Sequence, residues 1–245
     1  MLFVLGSELV ISDVLYMTSA VLTAWRLGWG CVQARTAITE NIKVLLSNAF
    51  FVIQLVLRLA WLHVGYPTLE ETRSINFLEI AADTCQCLAL SLYIHQWFTV
   101  VVFRELVERK TDRVMSGLLY GFDAITGVSA ILLIALAWWN GPAVEAVIDI
   151  TFSLLLLLME IFFLVGGILR MRFFRTTLPD RHLLRHKQLP LLVASAVGIS
   201  ASAVRLVSLG LAIASDSIKF VVTPLAVATV PDCALALALV FAYGH

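Results

Sequence analysis

The sequence predicts an all-α integral membrane protein, a single domain of seven transmembrane helices over residues 1–245 with the N-terminus outside and the C-terminus on the cytoplasmic side. Three observations carry this reading. Of the 245 residues, 60% are apolar and 14% charged, where an ordinary soluble domain is about 25% charged. Mean hydropathy is +0.94. At roughly 20 apolar residues per spanning helix, the apolar content suffices for about seven passes. The same composition excludes a disordered chain, a secreted disulfide scaffold and a nucleic-acid binder.

In chain order the spans are read at residues 9–30, 43–65, 77–103, 117–139, 144–172, 188–214 and 219–243. Each is long enough for about 30 Å of hydrocarbon at 1.5 Å per residue. The apolar runs are continuous, as at residues 154–158, and so do not alternate as a membrane β-barrel requires. Turn chemistry separates them: Tyr66-Pro67 after the second, Asn140-Gly141-Pro142 after the fourth, Leu178-Pro179-Asp180 after the fifth. Pro224 and Pro231 share one face of the seventh and predict a bend there. No Lys or Arg precedes Arg26, while Glu8 and Asp13 are acidic, so the first span is expected to be retained and not cleaved as a signal.

Orientation follows from the cations. One set of loops holds Arg26, Arg35 and Lys43, then Arg104, Arg109, Lys110 and Arg113, then Arg170, Arg172, Arg175, Arg181, Arg185 and Lys187. The opposite set holds Arg73 and Lys219. Basic loops stay on the cytoplasmic side, which places the N-terminus outside. Arg170, Arg172, Arg175, Arg181, Arg185 and Lys187 also form a cluster suited to anionic lipid headgroups or an acidic protein surface.

Ionisable residues inside hydrocarbon are the candidate site. Arg58, Glu79, Asp83, His95, Asp123, Asp149, Glu160, Arg205 and Asp232 lie within the spans, each costing at least about 2.5 kcal/mol for Arg or Asp at a helix centre. They are expected to face the bundle interior. Asp149, Ser153, Leu156, Glu160 and Gly167 share one helical stripe, as do Ser195, Gly198, Ser202 and Arg205, with small residues permitting close approach. Leu156 is expected to be only partly buried. Arg58 and Arg205 are expected to be neutralised by Asp83, Asp149, Glu160 or Asp232. The intramembrane polar network Arg58, Glu79, Asp83, Asp149, Glu160, Arg205 and Asp232 has two readings: a cavity open to the outer side for a ligand, ion or proton, or ion pairs that fix packing.

Other chemistry is sparse. His182 and His186 stand one turn apart, with Asp180 as a poor third metal ligand, and Cys85-x-Cys87 points two thiols to different faces. Cys31, Cys85, Cys87 and Cys233 lie in or at the ends of spans, so no disulfide is expected. With no phosphate-binding Gly-rich loop and no nucleophile set, neither enzyme activity nor a cofactor nor a metal is expected.

Lys219 stands at the outer edge of the seventh span, not deep within it as a retinal-binding lysine would. Phe103-Arg104-Glu105 and Pro231-Asp232-Cys233 are not the triplets of rhodopsin-like receptors. Val165-Gly166-Gly167-Ile168-Leu169-Arg170 ends the fifth span before the basic linker, with Arg58 late in the second span, Trp138-Trp139 closing the fourth, Arg205 in the sixth and Pro231-Asp232-Cys233-Ala234 in the seventh. In these features, spread in order over most of the chain, it resembles the seven-pass family of plant tobamovirus multiplication proteins and their animal lysosomal orphan-receptor-like relatives. It departs from that pattern at Gln96, where the family has an acidic residue, and in ending at Tyr243-Gly244-His245 without a cytoplasmic tail.

The resemblance implies a membrane protein of the vacuole or lysosome type that recruits protein partners, small GTPases among them, through its cytoplasmic face. Two alternatives stand beside it: an accessory subunit of a large organelle-membrane complex, and a small transporter or receptor using the outer polar cavity; the alternative location is the mitochondrial inner membrane or another organelle membrane.

Overall fold

A computed structural model of the protein describes residues 2–33, 38–65, 73–97, 109–139, 144–177 and 229–242, together with 196, 197, 199, 200, 203 and 207. Every described residue is helical. The elements are α1 (Leu2–Gln33), α2 (Ile38–Gly65), α3 (Arg73–Trp97), α4 (Arg109–Trp139), α5 (Val144–Thr177) and α6 (Val230–Ala242). The protein is a helical membrane protein: Ile42–Val64, Ser74–His95 and Gly117–Trp138 are each long and apolar enough to cross a bilayer. No disulfide is formed among the described residues.

The polar and apolar faces are arranged for lipid. In α1 the buried stripe is Ser12, Tyr16, Ser19 and Thr23, while Val10, Val14, Met17, Val21 and Trp25 are exposed. Both stripes recur every three or four residues, so one helix presents polar groups inward and hydrocarbon outward, the reverse of a soluble amphipathic helix. In α2 the inward stripe is Ser47, Phe51, Gln54, Arg58 and Leu62, and in α4 it is Leu119, Phe122, Thr126, Ala130, Leu133 and Ala137.

α3 is the central helix, packing on α2, α4 and α5. In its spanning segment 61% is buried, against 33% in α2 and 28% in α4. α1 lies against α2 and α6. Side-chain contacts give the direction of each pair. Asp13 meets His63, and a Cβ on Gly30 would lie 2.9 Å from Leu45 Cδ2, so α1 and α2 are antiparallel. Ser47 donates to the Ala89 carbonyl at 2.7 Å and Arg58 reaches Glu79 and Asp83, so α2 and α3 are antiparallel. The rings of His95 and Tyr120 lie 5.3 Å apart and Ser91 hydrogen-bonds Asp123, setting α4 antiparallel to α3. Ser12 pairs with Thr229 and Tyr16 with Asp232, so α6 runs parallel to α1.

Two expectations are corrected. Arg175 is not in a loop, because α5 continues through Thr177; likewise Arg109, Lys110 and Arg113 lie in the first turns of α4, while Arg26, Lys43, Arg170 and Arg172 lie in α1, α2 and α5, within the spans read for those helices. Hydropathy marks where hydrocarbon ends, whereas Arg and Lys are good helix formers and let the helix run on into the polar phase. Leu156 is 1% exposed, not partly buried, because the α5 stripe of Ile148, Phe152, Leu156 and Met159 lies inward.

Candidate functional site

Arg58, in the last two turns of α2, is 1% exposed and holds the site together. Its three guanidinium nitrogens point to three different carboxylates. Nε donates to Asp232 Oδ2 at 3.2 Å, Nη1 to Glu79 Oε1 at 3.5 Å, and Nη2 makes a short contact with Asp83 Oδ1. The planar fork of arginine makes this possible, since a lysine ammonium could not reach three directions set by one rigid plane. Glu79 and Asp83 are one turn apart in α3 and present a pair of carboxylates to α2.

The Tyr16 hydroxyl of α1 also donates to Asp232 Oδ2, at 3.5 Å. Trp61, one turn beyond Arg58, lays its ring 5.8 Å from the guanidinium carbon, a cation–π contact. Four helices, α1, α2, α3 and α6, therefore converge on one guanidinium. Above it, Asp13 and His63 pair at 3.1 Å, with His63 58% exposed. Beside it, Thr229 donates to Ser12 at 3.2 Å.

A second polar layer lies further along α2 and α3. Tyr93 donates to Asn48 at 2.6 Å and Ser47 to the Ala89 carbonyl. Between this layer and Arg58, both carboxamide atoms of Gln54 and the Oε1 of Gln86 are buried and make no hydrogen bond. On the far side of α3, Ser91 hydrogen-bonds Asp123 of α4.

Of the residues singled out in the sequence, Arg58, Glu79, Asp83 and Asp232 are brought together. Asp149 and Glu160 lie in α5, but nothing is described of their side chains, and Arg205 lies outside the described residues. Asp123 and His95 belong to the α3–α4 interface instead. Of the basic cluster, Arg170, Arg172 and Arg175 lie on the end of α5, while Arg181, Arg185 and Lys187 lie outside the described residues. Tyr16, Trp61, Gln54 and Gln86 were not expected. The spacing of Ser12, Tyr16, Ser19 and Thr23 carried a signal for the first of them. Among the described residues no group of three or more His, Cys, Asp and Glu side chains could hold a metal; Arg58 occupies the place between Glu79, Asp83 and Asp232 where a cation would sit.

Chemically, the cluster ties segments distant in sequence together: the Tyr16 hydroxyl and the three carboxylates are paired with one another and with Arg58. Compared with models of protein families, with curated proteins and with solved structures, the chain finds no match.

Proposed function

We propose that this chain is a non-enzymatic, seven-pass protein of an internal membrane, of the vacuole or lysosome type, that recruits protein partners of the small GTPase type through its basic cytoplasmic end. In this reading it belongs with the seven-pass family it resembles, and the Arg58 cluster is the fastener that holds α1, α2, α3 and α6 in one bundle.

The parallel sense of α1 and α6 supports seven crossings. If α1 to α5 alternate in direction across the bilayer, α5 runs with α1. A helix after it that again runs with α1 then needs one more crossing in between. Residues 188–214 are long and apolar enough to provide it, and each of their described positions is helical. The positive-inside rule then favours the N-terminus outside, because Arg26, Lys43, Arg109, Lys110 and Arg113 lie on helix segments at the end opposite the Arg58 cluster, and the same alternation would bring Arg170, Arg172 and Arg175 of α5 to that end.

The observation that carries partner recruitment is the length of α5. Its 34 residues measure about 51 Å at 1.5 Å per residue, some 20 Å more than the hydrocarbon core. The excess at its C-terminal end bears Arg170, Arg172 and Arg175 and leads into Arg181, Arg185 and Lys187. A rigid basic stalk of this kind presents charge to an acidic partner surface or to anionic headgroups at about 1 kcal/mol per cation. Co-purification with candidate partners, and binding of the purified protein to their immobilised forms, tests it. Neutralising Arg181, Arg185 and Lys187 together is expected to weaken association in a salt-dependent way, and unchanged association would remove the proposal.

A further inference from the structure

We propose that the α2–α3 interface at Gln54 and Gln86 is an internal water-binding site adjoining the Arg58 cluster. The two residues are brought to the same stretch of the interface from opposite directions. On α2, Gln54 lies between Ser47 and Arg58; on α3, Gln86 lies between Asp83 and Ala89. Ser47 bonds Ala89 and Arg58 bonds Asp83, so these contacts bracket both glutamines. Gln54 precedes Arg58 by four residues and Gln86 follows Asp83 by three, which puts each amide one turn from the cluster on the same helix face.

Both side chains are nine-tenths buried or more: Gln54 is 0% and Gln86 3% exposed. Gln54 Oε1, Gln54 Nε2 and Gln86 Oε1 have no hydrogen-bond partner. A buried carboxamide with both ends unpaired is costly, and such groups in a bundle interior are satisfied by side chains or by ordered water.

The chemistry of the unpaired atoms selects the occupant. Two acceptors need donors, and one NH2 needs an acceptor. A metal cation would serve only the oxygens and would stand a turn from the Arg58 guanidinium. An anion would serve only Nε2 and would stand a turn from Asp83. A small neutral molecule that both donates and accepts meets all three demands, and water is the one that fits between closely packed helices.

The test uses the full-length protein in liposomes, with only its glutamine side-chain amides labelled in 15N. The chain has five glutamines, Gln33, Gln54, Gln86, Gln96 and Gln188, and replacing Gln33, Gln96 and Gln188 by alanine leaves the two of interest. Water-to-protein magnetisation transfer in solid-state NMR should then reach the Gln54 and Gln86 side-chain amides, and transfer to deuterated buffer should exchange their protons within hours. Absence of transfer and persistent protons after days would overturn the proposal. If the triple variant does not fold, Gln54→Leu and Gln86→Leu report on thermal stability instead. Leucine at a dry, unpaired amide raises Tm; leucine that displaces a bridging water lowers it, and a rise in both variants would overturn the proposal.

Discussion

Arg58 Nε and Asp232 Oδ2 lie 3.2 Å apart, joining α2 to α6 across 174 residues of sequence. Both side chains are almost wholly removed from the surface, so each is the other's substitute for water. A pair of this kind contributes little relative to a well-packed apolar pair, yet stranding one partner is severe. Four predictions about the bundle follow from that asymmetry and from the burial pattern around it.

Arg58→Leu should leave Glu79, Asp83 and Asp232 facing an apolar side chain and lower unfolding stability by about 3 to 5 kcal/mol. Arg58→Lys keeps the charge but not the three-way fork and should lose about 1 to 3 kcal/mol. Denaturant unfolding in mild detergent checks the order, Leu worse than Lys worse than native.

Asp232→Asn alone should destabilise, and combining it with Arg58→Leu should cost less than the two separate changes added together. The coupling in this double-mutant cycle should reach about 1 to 3 kcal/mol in magnitude. Additive behaviour would mean that the two residues do not share one interaction.

Tyr16→Phe removes a hydroxyl donor that reaches Asp232 at 3.5 Å, near the limit of a hydrogen bond. Because Asp232 keeps Arg58, the loss should stay below about 1 kcal/mol. A cost comparable to Arg58→Leu in the same unfolding assay would contradict this ranking.

Leu156→Ala should be costly, about 2 to 5 kcal/mol, because the side chain is enclosed and its removal leaves a cavity. Ile131→Ala, at a position 68% exposed, should cost less than about 1 kcal/mol, since lipid or detergent refills the missing contacts. Melting temperatures of the two variants, measured side by side, separate the faces.

The membrane class was legible in the sequence because hydrocarbon admits only helices and closed barrels, and continuous apolar runs fit helices alone. The individual charges were legible for the same reason: Arg58, Asp83 and Asp232 stand out where lipid would be. Their company was less so. Asp83, Asp149, Glu160 and Asp232 were the carboxylates named for Arg58; Asp83 and Asp232 meet it, and so does Glu79, one turn from Asp83. Which carboxylate reaches a given guanidinium depends on helix rotation and tilt, which periodicity within one helix does not contain. Gln54 and Gln86 carry a weaker signal in the sequence, because a neutral amide in an apolar run costs far less than a charge. The start of α4 and the end of α5 run past the spans because a hydropathy window registers lipid and not backbone hydrogen bonding.

Sidedness tests the central claim most directly. Single cysteines at Arg73 and Arg181, introduced with Cys31 replaced by serine, are labelled with a membrane-impermeant maleimide in sealed organelles and again after permeabilisation. Seven crossings with the basic end in the cytoplasm predict that Arg181→Cys reacts in intact organelles and Arg73→Cys only after permeabilisation. Reaction of both from the same side would contradict the seven-pass topology and, with it, a basic stalk placed to meet cytoplasmic partners.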